Sequence, residues 1–520
     1  MILPEVLAIL MVVAVCVVLM AGYPVALTLG GVSLLFAFLG DALGVMNLGL
    51  LGAFPPRVFG VMTNEVLIAI PLFVFMGVML ERSRIAEDLL ETMGRLFGSL
   101  RGGLAISVIL VGTLLAAAKG VVGATTVAMG LITLPVMLRH GYDARLAAGT
   151  VAATATLAQI MPPATVLVLL GDQLNIAYQA AQLAEGKFAP DTVTVGDLFA
   201  GAIVPGLMLV ALYLLFQVVV AFARPEACPP IPPDPDAPKG FALARRVIEV
   251  LVAPILLIVV VLGSILGGLA SPTEAAAVGA FGALLLTARK VEPDRSWITS
   301  AVAAAVVLLI LLRHVADPRP GGSTLAMLAA LVLFAVIALG TLAVIGAVLR
   351  ARVLTPAVVS TANITSMIFV ILIGATLFSL VFRGLGGDEM VNEALSDLPG
   401  GAAGAILVVM LAVFLLGFVM DAFEIIFVVV PIVAPALLKM PGVDPVWLGI
   451  MIAMNLQTSY IHPPLGPTLF FLRGVAPPEI TTLHIYAGII PFVVIQLFAL
   501  VLLWFVPGLA TWLPHALYGG

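Results

Sequence analysis

Helix-breaking residues and hydroxyl groups occur together in one apolar stretch, residues 118–163. The breaks and the polar groups are Gly120, Gly123, Gly130, Pro135, Pro162, Pro163, Thr125, Thr126, Thr150, Thr154, Thr156 and Gln159. Backbone that leaves the helix at membrane depth must be buried in protein or line a wet cavity, because lipid cannot satisfy its N–H and C=O groups. Freed carbonyls beside hydroxyls suit a small hard cation, and exposed helix N-termini suit a carboxylate. The stretch therefore predicts half of a transport site.

Two carboxylates lie inside a second apolar stretch, FVMDAFEIIFVVVP at residues 418–431. An ionisable side chain at membrane depth is costly and usually functional. Asp421 is equally well explained as an acidic N-cap, since it opens an apolar arm where the helix dipole favours an anion. Both interpretations of Asp421 stay open, and Glu424 favours packing or proton chemistry.

A run of polar residues, NLQTSYIHPP at 455–464, follows in the same half of the chain. Its polar members are Asn455, Gln457, Thr458, Ser459, Tyr460 and His462. So many polar groups in one apolar segment indicate that the segment lines a cavity. Taken alone, His462 is more readily explained as a satisfied structural histidine.

The composition restricts the fold to a helical membrane protein. Hydrophobic residues make up 62% of the 520 and charged residues 10%, with a mean hydropathy of +1.24. The long apolar runs exclude a transmembrane barrel, whose strands alternate in polarity. A formal charge of −5 without a basic tract gives no sign of nucleic acid as a partner. The two cysteines and the absence of a metal-ligand cluster predict neither a disulfide framework nor a cofactor.

Motifs of enzymes are absent from the sequence. No GxxxxGK[ST] loop is present for ATP hydrolysis, and no HExxH or GxSxG motif is present for an intramembrane enzyme. The first segment, residues 2–20, lacks a basic n-region and a convincing cleavage site. It is therefore predicted to be a retained helix rather than a signal peptide.

Long helices and short broken ones must position the polar groups. Apolar runs predict spanning helices at roughly 4–22, 25–41, 66–81, 197–223, 247–268, 271–288, 298–313, 324–349, 356–382 and 483–506. Four shorter arms, at 102–118, 122–138, 401–420 and 422–438, favour two re-entrant hairpins, because a full span needs about 20 residues. Broken helices are predicted at 146–171 and 446–474, amphipathic pieces at 45–60, 81–101 and 384–398, and a soluble loop at 172–196.

The positions of lysine and arginine predict the orientation. Six arginines place the loops around the first hairpin in the cytoplasm: Arg82, Arg84, Arg95, Arg101, Arg139 and Arg145. The acidic loop 172–196 then lies outside, and the Pro-rich linker lies inside. On this count the first hairpin enters from the cytoplasm, the second enters from outside, and the N-terminus is outside. Opposite entry is typical of an inverted repeat.

Three landmarks recur at nearly constant separation. Asn64 corresponds to Asn363, Pro135 to Pro431, and the pair at 162–163 to the pair at 463–464. The predicted fold is thus an all-α polytopic protein with an inverted repeat of elevator type, two re-entrant hairpins and two broken helices. The predicted divisions are N-terminal scaffold helices with a first arm (1–100), a first transport repeat (101–172), an external loop and scaffold helix (173–223), a Pro-rich cytoplasmic linker (224–246), second-half scaffold helices with an extra segment near 290–350 (247–398), a second transport repeat (399–476) and a C-terminal helix and tail (477–520).

Six motifs are specific when taken together: IPLFVFMG (70–77), GATTVAMGLITLPVMLRHGY (123–142), ATATLAQIMPPATVLVLLGD (153–172), SPTEAAAVGA (271–280), MDAFEIIFVVVPIVAPALL (420–438) and HPPLGPTLFFLRGVA (462–476). With them the chain resembles, over nearly its whole length, the large membrane subunit of a tripartite ATP-independent periplasmic (TRAP) transporter. The GATTVAMG form and the extra segment resemble the longer branch of that family, often labelled mannitol/chloroaromatic, whose members include 2-oxo acid and lactate systems.

The resemblance implies a sodium-coupled, elevator-type importer of a small organic acid, such as a 2-oxo acid or lactate, in the bacterial inner membrane. It also implies two protein partners, a small four-helix membrane subunit and a periplasmic solute-binding protein. The coupling ions would be sodium, with no other cofactor. The alternative is a stand-alone sodium- or proton-coupled carboxylate symporter of related fold.

In such a subunit each hairpin tip, with its neighbouring broken helix, would hold a sodium ion. The residues expected near the ions are Gly120, Gly123, Thr125, Thr154, Thr156, Pro162, Gly417, Asp421, Thr458 and Ser459. Those expected near the substrate are Lys119, Thr125, Thr126, Gln159, Asp421, Asn455 and Thr458. Many relatives carry serines at the first tip where this chain has Lys119 and two valines. Lys119 would neutralise a substrate carboxylate or reach membrane lipid headgroups.

Overall fold

The structure is a computed structural model that describes residues 3–83, 85–120, 122–231, 241–315, 323–463 and 466–519. These residues form helices and the turns between them, and no strand occurs among them. The helices of the first half are α1 (Leu3–Met20), α2 (Val25–Ala42), α3 (Phe54–Met62), α4 (Ala69–Arg82), α5 (Ile85–Phe97), α6 (Gly103–Lys119), α7 (Val122–Arg139), α8 (Ala144–Thr156), α9 (Thr165–Ala184) and α10 (Val195–Ala223).

The second half contains thirteen helices within the described ranges. They are α11 (Phe241–Leu266), α12 (Pro272–Val291), α13 (Ser296–Val315), α14 (Thr324–Arg350), α15 (Leu354–Gly384), α16 (Gly387–Ser396), α17 (Gly401–Leu416), α18 (Ala422–Val428), α19 (Val430–Leu438), α20 (Pro445–Ser459), α21 (Pro467–Val475), α22 (Thr482–Phe505) and α23 (Gly508–Tyr518).

Eight helices in the described part of the chain are long and apolar enough to cross a bilayer, and a ninth span results if the bent segments 48–62 and 65–82 count together. This confirms the predicted all-α polytopic class. The extra segment forms the pair α13 and α14, which pack closely enough that a Cβ on Gly340 would overlap Val302. Few of their other side chains are buried, so the pair lies at the periphery of the described chain.

Two pairs of short apolar arms form hairpins, as the sequence predicts. Helix α6 has 17 residues and α17 has 16, fewer than the roughly 20 that a full span requires, whereas α7 has 18 and is one of the eight helices counted above. Helix α6 ends at Gly120, whose φ of 60° is readily adopted only by glycine. Helix α18 begins after Asp421, whose carboxylate accepts a hydrogen bond from the amide of Ala422 at 2.7 Å. The predicted N-cap role of Asp421 is therefore confirmed.

Prolines interrupt the two broken helices between their halves. Helix α8 continues through a 3-10 turn, Leu157–Gln159, and reaches Pro162 and Pro163, which are joined by a cis peptide bond. The helix resumes as α9, which begins at Thr165. In the second half the interval between α20 and α21 contains Pro463. Proline lacks an N–H and clashes with the preceding turn, so neither helix continues through its break.

The two broken helices begin in the same way. Gly141 and Gly442 both adopt positive φ, at 77° and 81°. Two residues later, Asp143 and Asp444 cap α8 and α20, each accepting a hydrogen bond at 2.8 Å from a backbone amide in the first turn. The shared turn, cap and double proline support the internal duplication that the sequence predicts.

Contacts between corresponding residues show where the two halves meet. The side-chain amide of Gln457 donates to the hydroxyl of Thr156 at 3.4 Å, across a separation of 301 residues. Tyr460 also lies near Gln159, which is its counterpart at the same separation. A residue touches its own repeat mate only beside a two-fold axis. The axis that relates the halves therefore runs between the C-terminal ends of α8 and α20.

The prediction of a soluble loop at 172–196 is wrong, because α9 continues to Ala184. Its second half, QLNIAYQAAQLA, contains good helix formers and keeps a buried face through Leu174, Ala177 and Ala181. The polarity of the stretch reflects the other face of the helix. Only residues 185–194 connect α9 to α10.

The predicted linker 224–246 is also shorter than expected. A 3-10 turn at Pro225–Ala227 opens it, and residues 232–240 lie outside the described residues. Helix α11 already begins at Phe241, so Arg245 and Arg246 belong to its first turns. The C-terminal helix α23, which the sequence analysis does not predict, packs against α10.

Candidate ion and substrate site

The tip of the first hairpin lies against the break in the first broken helix. A Cβ built on Gly120 would be 3.2 Å from both the amide nitrogen and the hydroxyl oxygen of Thr165, and 3.3 Å from the carbonyl oxygen of Pro163. The Thr165 hydroxyl is buried and has no hydrogen-bond partner. The structure thus gathers a tip glycine, a carbonyl oxygen freed by the break and an unpartnered hydroxyl.

The tip of the second hairpin lies against the second broken helix in the same manner. A Cβ on Gly417 would overlap the hydroxyl of Ser459, the last residue of α20. The Ser459 hydroxyl is buried without a hydrogen-bond partner. Asp421, at the other side of the tip, is half-buried and lies near the side chain of Tyr460. Three predicted ligands, Gly417, Asp421 and Ser459, are therefore brought to one place.

Tyr460 connects the two halves of the site. Its side chain lies near Asp421 of the second hairpin and near Gln159 of the first broken helix. Gln159 is buried, and its side-chain oxygen has no partner. Asp421, Tyr460 and Gln159 thus lie close together where the two halves of the chain meet.

The predicted threonines of the first half lie at different depths. Thr126 donates to the carbonyl of Val122 at 2.9 Å, and Thr156 donates to the carbonyl of Ala153 at 2.8 Å. Thr154 packs against Gly112, about two turns of α6 away from the tip. Thr125 is buried in α7. Their hydroxyls do not all converge on Gly120.

The predicted residues of α20 lie within hydrogen-bonding distance of hairpin 2 or of their own helix. Asn455 donates to the carbonyl of Met410 in α17 at 2.7 Å, and its side-chain oxygen has no partner. Thr458 donates to the carbonyl of Asn455 at 2.6 Å. The His462 ring stacks on Phe418 with centroids 3.8 Å apart, but both ring nitrogens are buried without a hydrogen-bond partner, so the predicted satisfied histidine is wrong.

The remaining predicted residues of the first tip have separate positions. The side chain of Lys119 lies outside the described residues, so its two predicted roles stay predictions. Gly123 faces Phe471 of α21, where a Cβ would be 3.0 Å from the ring. Pro162 is buried within the break, one residue before the carbonyl that faces Gly120.

Side-chain oxygens without hydrogen-bond partners are concentrated along the two broken helices. Buried polar atoms normally find a partner, so each exception needs a physical reason. Within the described residues, the unpartnered oxygens of these segments belong to Thr154, Gln159, Thr165, Asn455, Gln457, Ser459 and Thr468. An interior with so many unpartnered oxygens suits a hard cation.

The family profile described as "Tripartite ATP-independent periplasmic transporter, DctM component" matches residues 12–315 and 295–509. The chain belongs to the DctM family. It is therefore the large membrane subunit of a TRAP transporter, a multi-pass protein of the inner membrane and not an enzyme. Membership in this tripartite family implies a small membrane subunit and a periplasmic binding protein as partners.

Curated TRAP relatives align with most of the chain. The C4-dicarboxylate TRAP transporter large permease protein DctM of Vibrio cholerae is 27% identical over 503 residues, covering 96% of each chain. The ectoine TRAP large permease protein TeaC of Halomonas elongata is 25% identical, covering 86% of each. The 2,3-diketo-L-gulonate TRAP large permease protein YiaN of Escherichia coli is 23% identical, covering 85% of each.

A solved transporter shares the fold. The structure of the YdaH transporter from Alcanivorax borkumensis matches with a TM-score of 0.54 and 15% sequence identity, covering 97% of this chain and 99% of that one. At that identity the likeness concerns the arrangement of helices alone.

Several residues of this TRAP subunit's site are not among those predicted. Thr165 and Thr468 lie in the first turn of the second half of each broken helix. A search for hydroxyls in the first helical turn after each double proline would identify both. Gln496 of α22 donates to Thr156 at 3.4 Å and to the Tyr213 hydroxyl at 2.8 Å. No local pattern marks Gln496, because it is one polar residue in an apolar span.

Proposed function

We propose that this TRAP subunit imports a small carboxylate together with sodium ions, one ion beside each hairpin tip. The observation that carries the proposal is the repeated contact of a tip glycine with a buried, unpartnered hydroxyl, Gly120 with Thr165 and Gly417 with Ser459. Sodium is a hard cation that takes oxygen ligands and donates no hydrogen bond. It would supply the partner that each hydroxyl and freed carbonyl lacks.

The helix ends around the tips suit an anionic substrate. Helix α9 begins at Thr165 and α21 at Pro467, and the positive ends of both face the interior of the breaks. A bound sodium ion would add positive charge beside each end. A carboxylate held between the tips would therefore be stabilised only when the ions are present, which couples the two flows.

Substrate identity is proposed at the level of chemical class. The relatives are named for C4-dicarboxylate, ectoine and 2,3-diketo-L-gulonate transport, and the longer-branch motifs of this chain resemble 2-oxo acid and lactate systems. A carboxylate is the group that dicarboxylates, 2-oxo acids and lactate share. Transport would occur by an elevator motion of the hairpins and broken helices against the scaffold, with the binding protein delivering the substrate.

Reconstitution tests the proposal. The subunit, its small partner and its binding protein are placed in proteoliposomes and supplied with labelled succinate, pyruvate or lactate, with and without an inward sodium gradient. Uptake of one of these acids that requires both sodium and the binding protein is the expected result. Uptake without the binding protein would favour the stand-alone symporter, and uptake driven by a proton gradient alone would refute sodium coupling.

A further inference from the structure

A cavity separate from the hairpin tips, lined by apolar side chains and several polar ones, lies between two groups of helices. Its volume is about 360 Å³, within the range of about 300–1,000 Å³ that small-molecule sites occupy. Helices α3 and α15 form one wall, and α9, α18 and α19 form the other. The first group belongs to the predicted scaffold; of the second, α18 and α19 lie in the second predicted transport repeat, and α9 begins in the first repeat and continues beyond it.

Two arginines from different scaffold helices line this cavity. Arg57 extends from α3 and Arg383 from the end of α15. Their charges are close enough to influence one another. Neither arginine forms an ion pair with a described residue, although Asp172 lines the same cavity. Both arginines are exposed, so their guanidinium groups are accessible to a ligand that enters the cavity.

The one carboxylate in the lining is already hydrogen-bonded to neutral groups. Asn64 donates to one oxygen of Asp172 at 2.9 Å, and Gln173 donates to the other at 3.1 Å. Asp172 is therefore held by amides on the transport side of the cavity. The arginine side chains remain able to bind an anion in the space between the walls.

The cavity lies along the path between the predicted outer surface and the breaks. Asp172 is seven residues beyond Thr165 along α9, which corresponds to roughly 10 Å of helix. Pro431 lies on the second arm of the second hairpin, ten residues beyond Asp421, which corresponds to roughly 15 Å of helix. The orientation predicted from lysine and arginine places this end of both segments on the outer side.

We propose that this cavity, with Arg57 and Arg383 as its anchors, is an outer capture site for a small carboxylate on its way to the hairpin tips. Guanidinium groups bind carboxylates through paired, charge-assisted hydrogen bonds, which fits an organic acid released nearby. The inference rests on the proposed import of a carboxylate. It adds a second anion site, built largely by the scaffold, where the acid waits before the sodium-dependent site accepts it.

A charge-selective labelling experiment tests the site without transport. Ser379, which also lines the cavity, is replaced by cysteine in a Cys16→Ala/Cys228→Ala background, in the purified complex with the small subunit. An anionic and a cationic methanethiosulfonate reagent are then compared. The anionic reagent should react faster, and the ratio of the two rates should fall about tenfold in Arg57→Gln/Arg383→Gln, because the local positive potential is lost. Arg313→Gln, an exposed and distant change, should leave the ratio unaltered.

Protection by free acids identifies the ligand class. Succinate or lactate in sodium-free buffer should slow labelling of the cysteine, and Arg57→Gln/Arg383→Gln should abolish the protection. Arg57→Lys/Arg383→Lys should keep the rate ratio and lose most of the protection, since lysine keeps the charge without the paired geometry. A double-glutamine variant that fails to assemble would still leave the lysine variant to decide the question.

Three results would overturn the inference. The rate ratio could be the same with arginine and glutamine, neither acid could protect, or protection could survive in the glutamine variant. Repeating the assay in liposomes separates a second source of anions, lipid headgroups. Labelling blocked by phosphatidylglycerol and unaffected by the free acids would assign the cavity to lipid and contradict the proposal. Because the assay uses no sodium and measures no uptake, its failure is distinct from failure of sodium-coupled import.

Discussion

At the residue scale, two buried hydroxyls determine what the site can bind. A buried polar group without a partner destabilises a fold by about 1–3 kcal/mol. Thr165 and Ser459 each carry such a group, and each lies against the glycine of a hairpin tip. A sodium ion would convert this cost into binding energy. At these two positions the hydroxyl therefore lowers the stability of the sodium-free fold and raises the affinity for sodium.

Thr165→Val and Ser459→Ala test that opposition. Each change removes an unpartnered oxygen, so the melting temperature in sodium-free buffer should not fall, while the sodium concentration for half-maximal uptake should rise about tenfold, equivalent to 1.4 kcal/mol. Thr133→Val is the matched control, because Thr133 is also buried and unpartnered but lies within α7, several turns from the tip. A loss of sodium affinity in Thr133→Val equal to that of the other two would contradict the assignment.

Gly417→Ala tests the contact at the second tip. The added methyl group would overlap the Ser459 hydroxyl, so the tip must move away from the broken helix and uptake should fall at least about tenfold by loss of site geometry. Gly474→Ala is the control, since a Cβ there meets nothing within 4 Å and alanine favours the helix. Uptake and immunoblot levels are compared for both. Wild-type uptake by Gly417→Ala would show that the contact is unnecessary.

The sequence predicts part of this residue set. Gly120, Gly417, Asp421 and Ser459 follow from breaks and carboxylates in apolar runs, because those features are local. Thr165 is missed, since which hydroxyl meets a tip depends on how the second half of the broken helix is rotated. Packing between distant segments determines that rotation.

At the element scale, caps and breaks define the two repeats. Asp143 and Asp444 begin the broken helices, and prolines end their first halves. Helix existence is predicted well, since apolar runs and prolines are strong local signals. The continuation of α9 to Ala184 is not predicted. The polar face of this part of α9 lines a cavity, and its apolar face is buried only by packing against distant segments, which the local sequence does not reveal.

Asp444→Ala measures how much a repeat depends on its cap. The first-turn amides of α20 would lose their acceptor, which costs about 1 kcal/mol, with a range of about 0.5–2. Thermal unfolding of the purified complex should show the loss, and Asp444→Asn should restore most of it because asparagine also caps helices. Equal destabilisation by alanine and asparagine would mean that the charge, and not the cap, matters.

At the scale of the whole molecule, the proposed elevator motion requires contacts that break. Asn64 of the predicted scaffold donates to Asp172 of the first transport repeat. A short bis-methanethiosulfonate cross-link between Asn64→Cys and Asp172→Cys, with both native cysteines removed, should stop uptake, and reducing agent should restore it. Asp88 and Lys290 form an ion pair between two predicted scaffold segments, so their double-cysteine variant is the control that should keep its activity when cross-linked. Full uptake by cross-linked Asn64→Cys/Asp172→Cys would contradict the motion.

The sodium dependence of initial uptake shows whether each of the two tips holds a sodium ion that drives import. The rate is measured in proteoliposomes at saturating substrate-loaded binding protein, with choline replacing sodium. If each tip holds a sodium ion, there should be no uptake in choline, and the initial rate should rise sigmoidally with sodium concentration, with a Hill coefficient above one. The Hill coefficient should fall towards one in Thr165→Val and in Ser459→Ala. Uptake that is the same in choline and sodium would contradict sodium-driven import.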